Sequence, residues 1–278
     1  MAGSPPGNRI SMLLAVAAGV VLGAGVLQLS ILAGRMLSAP AVSAPASAPA
    51  SGERARPYFA QQAEDVIVAN IFDWLQIEKP TYLDVGAFDP VVDSNTFLFY
   101  LRGSQGVLVE PNPAIVDRLR AVRPRDKVLG VGIGVTDQEV ADYYVFRNRY
   151  QLNTFSKAEA DKLVRAFGPQ VLEQVIRLPL VNINAVIADN FQSTPDLVSI
   201  DVEGLDLAIL ETLDFERYRP IVICVETLEP GSIWQRDEIA KFLSGKEYVV
   251  RGMTFVNTVF VDLRRLRSFV PASPPAPG

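Results

Sequence analysis

Four carboxylates close runs of strand-forming residues. They are Asp84 in Tyr82-Leu83-Asp84-Val85-Gly86-Ala87, Glu110 in Val107-Leu108-Val109-Glu110-Pro111-Asn112-Pro113, and both acids of Ser199-Ile200-Asp201-Val202-Glu203-Gly204. Open α/β sheets bind their ligands at the carboxyl ends of their strands. An acidic rim there repels phosphate and suits a ligand with cationic groups and sugar hydroxyls. S-adenosylmethionine, with a sulfonium, a free amine and a ribose, is such a ligand, so the rim points to methyl transfer.

Each acid has a role to fill and a plainer alternative. A dinucleotide fingerprint needs three glycines so that backbone N–H groups can approach a pyrophosphate. The turn Asp84-Val85-Gly86-Ala87-Phe88-Asp89-Pro90 has one glycine, two acids and a proline without an N–H. Asp84 and Gly86 are therefore expected to seat the methionine part of the cofactor; alternatively, Asp84 is a turn residue bonding its own backbone. Glu110 is placed to accept both ribose hydroxyls, a geometry that NAD sites share, or else to favour the positive end of the helix opened by Asn112-Pro113. Asp201 and Glu203 can take the proton from an acceptor hydroxyl as the methyl moves, or hold a hard divalent cation with Glu226 as a third ligand. Plain ion pairs with Lys or Arg are the alternative for Glu203 and Glu226.

Composition removes other chemistries. The 278 residues contain no histidine, so Ser-His-Asp and Cys-His catalysis and His-ligated zinc are excluded, and acid–base work falls to Asp, Glu, Lys or Tyr. A net charge of −5 gives no electrostatic case for nucleic acid as a partner. The single cysteine, Cys224, lies in Ile221-Val222-Ile223-Cys224-Val225 and reads as a small core residue rather than a nucleophile.

The elements that must position these residues occupy the middle of the chain. After a tail at 1–9, residues 10–34 carry no charge between Arg9 and Arg35. At about 1.5 Å per residue that is long enough to span a bilayer. It is also longer than the apolar region of a cleaved signal peptide, which runs about 7–15 residues. A single-pass membrane anchor is the expectation, with sidedness not fixed by the balanced Arg9 and Arg35. Residues 35–55 repeat Ser, Ala and Pro and form a linker, and 270–278 a similar tail. The folded domain is expected over 56–269, without internal repeats.

Within it, helical spacing covers 63–75, 94–102, 113–122, 157–167, 183–190, 205–213 and 237–244. Strand patterns cover 81–85, 106–110, 127–135, 142–146, 175–181, 197–201, 221–226, 248–251 and 255–262. Continuous apolar strands between amphipathic helices imply a mostly parallel sheet covered on both faces.

With these motifs in order, the chain resembles the FkbM-type family of S-adenosylmethionine-dependent methyltransferases over about residues 61–226. The likeness rests on Asp84-Val85-Gly86-Ala87, Ser94-Asn95-Thr96, Glu110-Pro111-Asn112-Pro113 and Ser199-Ile200-Asp201-Val202-Glu203-Gly204. Upstream, Gln61-Gln62-Ala63-Glu64-Asp65 is similar to the family's Gln-x-Gly-Glu-Asp, with Ala63 in place of glycine, and Asp206 stands where members often have Glu. The resemblance implies O-methylation of a hydroxyl on a sugar, glycan, lipid-linked or polyketide-like acceptor. The fold it implies is a doubly wound class I methyltransferase with a Rossmann-like seven-stranded sheet whose last hairpin includes an antiparallel strand. An NAD-dependent oxidoreductase and a catalytically silent membrane-tethered binding module are the alternatives.

Overall fold

The computed structural model describes residues 58–229 and 233–269, all within the unit that begins at Arg56. The expected anchor at 10–34, the linker and the last residues lie outside them. Among the described residues no helix is long and apolar enough to cross a membrane.

The first helix, α1, covers Glu64–Trp74 and feeds strand β1, Tyr82–Val85. Next come α2 (Phe97–Leu101), β2 (Gly106–Val109), α3 (Pro113–Val122) and β3 (Lys127–Leu129). The chain then leaves the main sheet through β4 (Gly132–Ile133), β5 (Val140–Phe146), α4 (Lys157–Phe167) and β6 (Leu172–Val181). It returns through α5 (Ile183–Asn190), β7 (Leu197–Ile200), α6 (Asp206–Thr212), β8 (Val222–Glu226) and α7 (Asp237–Gly245). The closing elements are β9 (Tyr248–Met253), β10 (Asn257–Asp262) and α8 (Leu263–Phe269). Seven strands form one sheet in the order β3-β2-β1-β7-β8-β10-β9, and β4-β6-β5 form a second.

In the large sheet β10 alone runs against its neighbours, antiparallel to β8 and β9; the other pairings are parallel. This is the doubly wound, mostly parallel seven-stranded sheet expected. The chain moves outward from β1 through β2 to β3, then returns to β1's other side as β7. The gap between the carboxyl ends of β1 and β7 is therefore the switch point, where such sheets hold ligands.

Both faces are covered, which is why the inner strands are apolar throughout. Leu83, Val85, Val107, Val109, Val198 and Ile200 pack with α5, α6 and α7. Tyr82, Leu108, Leu197, Val222 and Cys224 pack on the opposite side with α1, α2, α3 and α8. Cys224 is fully buried there, as its apolar setting predicts.

Local chemistry sets the boundaries. Asn112 accepts from Ala114 N at 3.1 Å and Pro113 opens α3, as expected of that pair. The expected helix over 94–102 is shorter, because Ser94 Oγ turns back to accept from Phe97 N at 3.2 Å and delays the start. The single strand expected over 127–135 is two strands in different sheets. Gly132 at the break has the Phe155 ring where a Cβ would stand, 2.4 Å from its Cε2. Helix α8 had no counterpart in the sequence reading, since the stretch is short and rich in arginine.

Candidate active site

A narrow cavity of about 60 Å³ opens at the switch point. Its floor comes from the ends of β1, β2 and β7 (Gly86, Glu110, Asp201 and Glu203) and its roof from the inserted sheet (Tyr143, Asn153 and Phe155 among others). Of the residues singled out in the sequence, Gly86, Glu110, Asp201 and Glu203 meet in this one space, and Asp84 and Glu226 do not line it.

Gly86 makes the convergence sterically feasible. Its φ is +87°, and a Cβ there would fall 1.8 Å from the Asp201 carbonyl oxygen. No other residue fits where β1 and β7 draw together. Parallel pairing with Asp84 opposite both Leu108 and Ser199 brings the three strand ends to one edge.

Glu110 is held from two sides. One carboxylate oxygen accepts from Phe88 N at 3.1 Å and the other from Asn112 N at 2.7 Å, so the loops after β1 and β2 both grip it. Each oxygen retains a lone pair for a ligand hydroxyl. Burial pushes its pKa up to about 7, opposed by those two N–H groups.

Asp84 faces the other way. Alternation along β1 puts Tyr82 and Asp84 on the side opposite Leu83 and Val85. The Asp84 carboxylate accepts from Thr96 Oγ1 at 2.6 Å, and Thr96 is in turn met by Arg123 Nη2 at 3.0 Å. Arg123 is fully buried, paired with Asp126 at 2.8 Å and with the Tyr82 hydroxyl at 3.0 Å. Asp84 therefore anchors the Ser94-Asn95-Thr96 turn beneath the cavity. The correction follows from pleat direction: a carboxylate inside β1 points to a sheet face, whereas one just past β2 is free to turn over the edge.

The acidic loop after β7 is strained and braced. Glu203 has φ +55° and Gly204 φ +102°. Fully buried Asp206 accepts from Val202 N at 3.1 Å and Gly204 N at 3.2 Å and pairs with Arg236 at 3.0 Å. The carboxylates of Asp201 and Glu203 receive no hydrogen bond from the described residues. Burial first, then the charge of Asp206, pushes Asp201 up to about 7. Burial and then Asp201 hold Glu203 well above the usual carboxylate range. Like charges this close do not both ionise readily, so near neutrality the pair holds a proton.

Glu226 pairs with Arg236 at 2.8 Å, and burial followed by the charge of Asp201 pushes it up to about 10. Among the described residues no group of three or more acids or cysteines is disposed to hold a metal ion. Asp201, Glu203 and Glu226, the candidate cation ligands, are not such a group, and Glu226 is paired with Arg236.

The inserted sheet supplies what sequence reasoning missed. Tyr143 and Phe155 rings pack 4.7 Å apart over the cavity, and Thr154 Oγ1 donates to the Glu203 carbonyl oxygen at 3.1 Å. Arg236, which neutralises the loop from behind, lies in an irregular stretch without a motif. Only spatial proximity links these residues to the acids, and no spacing in the chain announces it.

The side chains fit an adenosyl cofactor. The cavity offers a buried two-oxygen acceptor at Glu110, apolar walls and two acids, and lacks the glycine-rich array of N–H groups a pyrophosphate needs. Comparison with known proteins agrees. The Methyltransferase FkbM domain matches residues 84–250, more than half of the chain. No curated protein matches it. Among solved structures, an O-methyltransferase from Bacillus cereus in complex with S-adenosylhomocysteine shares 12% identity, covering 71% of this chain and 80% of that one, with a TM-score of 0.38. The magnesium protoporphyrin IX methyltransferase from Synechocystis with bound S-adenosylmethionine shares 7%, covering 71% and 77%, TM-score 0.36. A TehB-like S-adenosylmethionine-dependent methyltransferase from Corynebacterium glutamicum shares 8%, covering 72% and 86%, TM-score 0.38. Likeness that distant carries no weight for activity, and the assignment rests on the domain match over the strand-end motifs. The chain belongs to the FkbM family of S-adenosylmethionine-dependent methyltransferases.

Proposed function

We propose that the protein transfers a methyl group to a hydroxyl oxygen of a sugar, glycan or related polyhydroxylated acceptor. The observation that carries this reading is the pair Asp201 and Glu203: two cavity carboxylates with no partner among the described residues, one of them with a pKa pushed up to about 7. A general base works best when its pKa lies near the working pH.

When bound, S-adenosylmethionine supplies a methyl group on a positively charged sulfur. Glu110 accepts its ribose hydroxyls, and Gly86 lets the backbone approach the methionine part. Asp201 accepts the proton of the acceptor hydroxyl as the oxygen–carbon bond forms and the carbon–sulfur bond breaks. Glu203, protonated, orients the same oxygen from its braced position. Positioning of the two reactants supplies much of the rate.

Residues 10–34, uncharged and flanked by Arg9 and Arg35, would tether the domain to a membrane beside a membrane-associated or lipid-linked acceptor. Carbonate extraction tests the tether, which predicts retention in the membrane pellet. For the activity, the purified full chain is incubated with S-adenosylmethionine and a panel of glycosides. Release of S-adenosylhomocysteine together with a methyl ether on the acceptor is expected, and transfer to nitrogen or carbon acceptors alone would refute the oxygen assignment.

A further inference from the structure

We propose that Asn153 is a cofactor-binding residue whose free side-chain N–H donates to an acceptor atom in the adenosine half of S-adenosylmethionine. The inference rests on the reading of the cavity as the cofactor site.

Asn153 lines the cavity, is only 7% exposed, and its Nδ2 completes no hydrogen bond among the described residues. Its orientation is not arbitrary. Phe146 N, a donor, points at the amide oxygen from 2.8 Å, so the oxygen must take that side and the nitrogen the other. The Tyr143 hydroxyl lies beside this nitrogen and takes at most one of its two N–H groups, which leaves the other for a ligand. A buried N–H left unmade carries a desolvation cost that a ligand acceptor relieves.

The other polar groups of the cavity cannot serve the same atoms. Glu110 keeps its oxygens for the ribose hydroxyls, Asp201 accepts, and the proton that Glu203 carries is directed at the acceptor oxygen. The Thr154 hydroxyl is given to the Glu203 carbonyl. Tyr150 is 44% exposed, and Gln151 is also more open to solvent than Asn153. An adenosine brings ring nitrogens that need a donor, and Asn153 is a buried side chain with one to spare.

Position selects the adenosine half over the sulfonium end. Tyr143 packs 4.7 Å from Phe155 and lines the cavity together with Asn153 and Glu110. Phe155, two residues on, packs against Gly132 at the β3–β4 break, on the β2 side of the cavity.

The test is calorimetry on the full chain with S-adenosylhomocysteine and with 5′-methylthioadenosine, which lacks the amino acid end. Asn153→Asp keeps an oxygen for Phe146 N and removes the donor. Binding of both ligands is expected to weaken by about 10-fold or more. Unchanged affinity, or a loss confined to S-adenosylhomocysteine, would overturn the proposal. If the wild-type chain binds neither ligand, the cavity assignment itself fails, a different outcome. Should Asn153→Asp not fold, side-chain amide resonances of wild-type Asn153 decide: they must shift with either ligand, and unmoved signals refute the contact.

Discussion

The Thr154 hydroxyl donates to the carbonyl oxygen of Glu203 at 3.1 Å, tying the inserted sheet to the acidic loop across 49 residues of chain. Glu203 sits at φ +55°, where a side chain costs about 1–2 kcal/mol. Two restraints hold it there: Thr154 on its carbonyl, and Asp206 on the N–H groups of its neighbours Val202 and Gly204. The insertion thus braces the acidic loop as well as roofing the cavity.

Removing that contact should affect turnover more than binding. A hydrogen bond of this kind contributes about 0.5–1.5 kcal/mol, or roughly 2–10-fold. Thr154→Val is expected to lower kcat by that factor with cofactor affinity unchanged, and Thr154→Ser to restore it. Paired kinetics and calorimetry check this; equal losses in both variants would assign Thr154 to packing alone.

Glu110 and Asp201 should separate binding from chemistry. Glu110→Ala is expected to weaken cofactor binding by about 1.5–3 kcal/mol, the range for hydrogen bonds to a charged group. Asp201→Asn removes charge with little change of shape, so binding persists and turnover is lost. The reverse pattern in titration and product assays would mean that the two roles are exchanged.

The raised acids give a pH dependence of fixed sign. Asp201 must be ionised to take a proton, so turnover should rise as pH rises through about 7. Stability of the ligand-free protein should move the other way. A carboxyl near 7 in the fold and near about 3.9 unfolded holds its proton more tightly when folded. Its contribution is full below the unfolded value and is lost as pH climbs through 7, with Glu226 extending the trend toward 10. Thermal melts of wild type and Asp201→Asn across pH 5–9 test this: the variant should show the flatter profile.

Much of this was legible in the chain because each strand is a short apolar run ending in turn chemistry. Asn112-Pro113 marked the start of α3, and Glu110, expected as the last residue of a strand over 106–110, stands one residue past β2 and lines the cavity. Asp84 was singled out by type and position, while only the pleat decides that it points toward Thr96 rather than into the cavity. Asn153 and Arg236 were invisible, since an amide in an insertion and an arginine in a loop gain meaning only from what folds beside them.

Ala63 is a local conflict that the sequence flagged without explaining. It caps α1 with φ +67°, the left-handed region that glycine adopts freely, and the family's glycine stands at this position. Relief of about 1–2 kcal/mol of strain outweighs the roughly 0.4–1 kcal/mol that glycine adds to the unfolded chain. Ala63→Gly should therefore stabilise the fold by about 0.5–1 kcal/mol in denaturant melts, and a lower midpoint would contradict the assigned strain.

Every role assigned above depends on the cavity at the ends of β1, β2 and β7 being the cofactor site. Calorimetric titration of the purified full chain with S-adenosylhomocysteine, alongside Glu110→Ala, tests it directly. One molecule should bind per wild-type chain and bind at least about 10-fold more weakly to the variant. A well-folded wild-type chain giving no heat, or a variant binding as tightly as wild type, would contradict it.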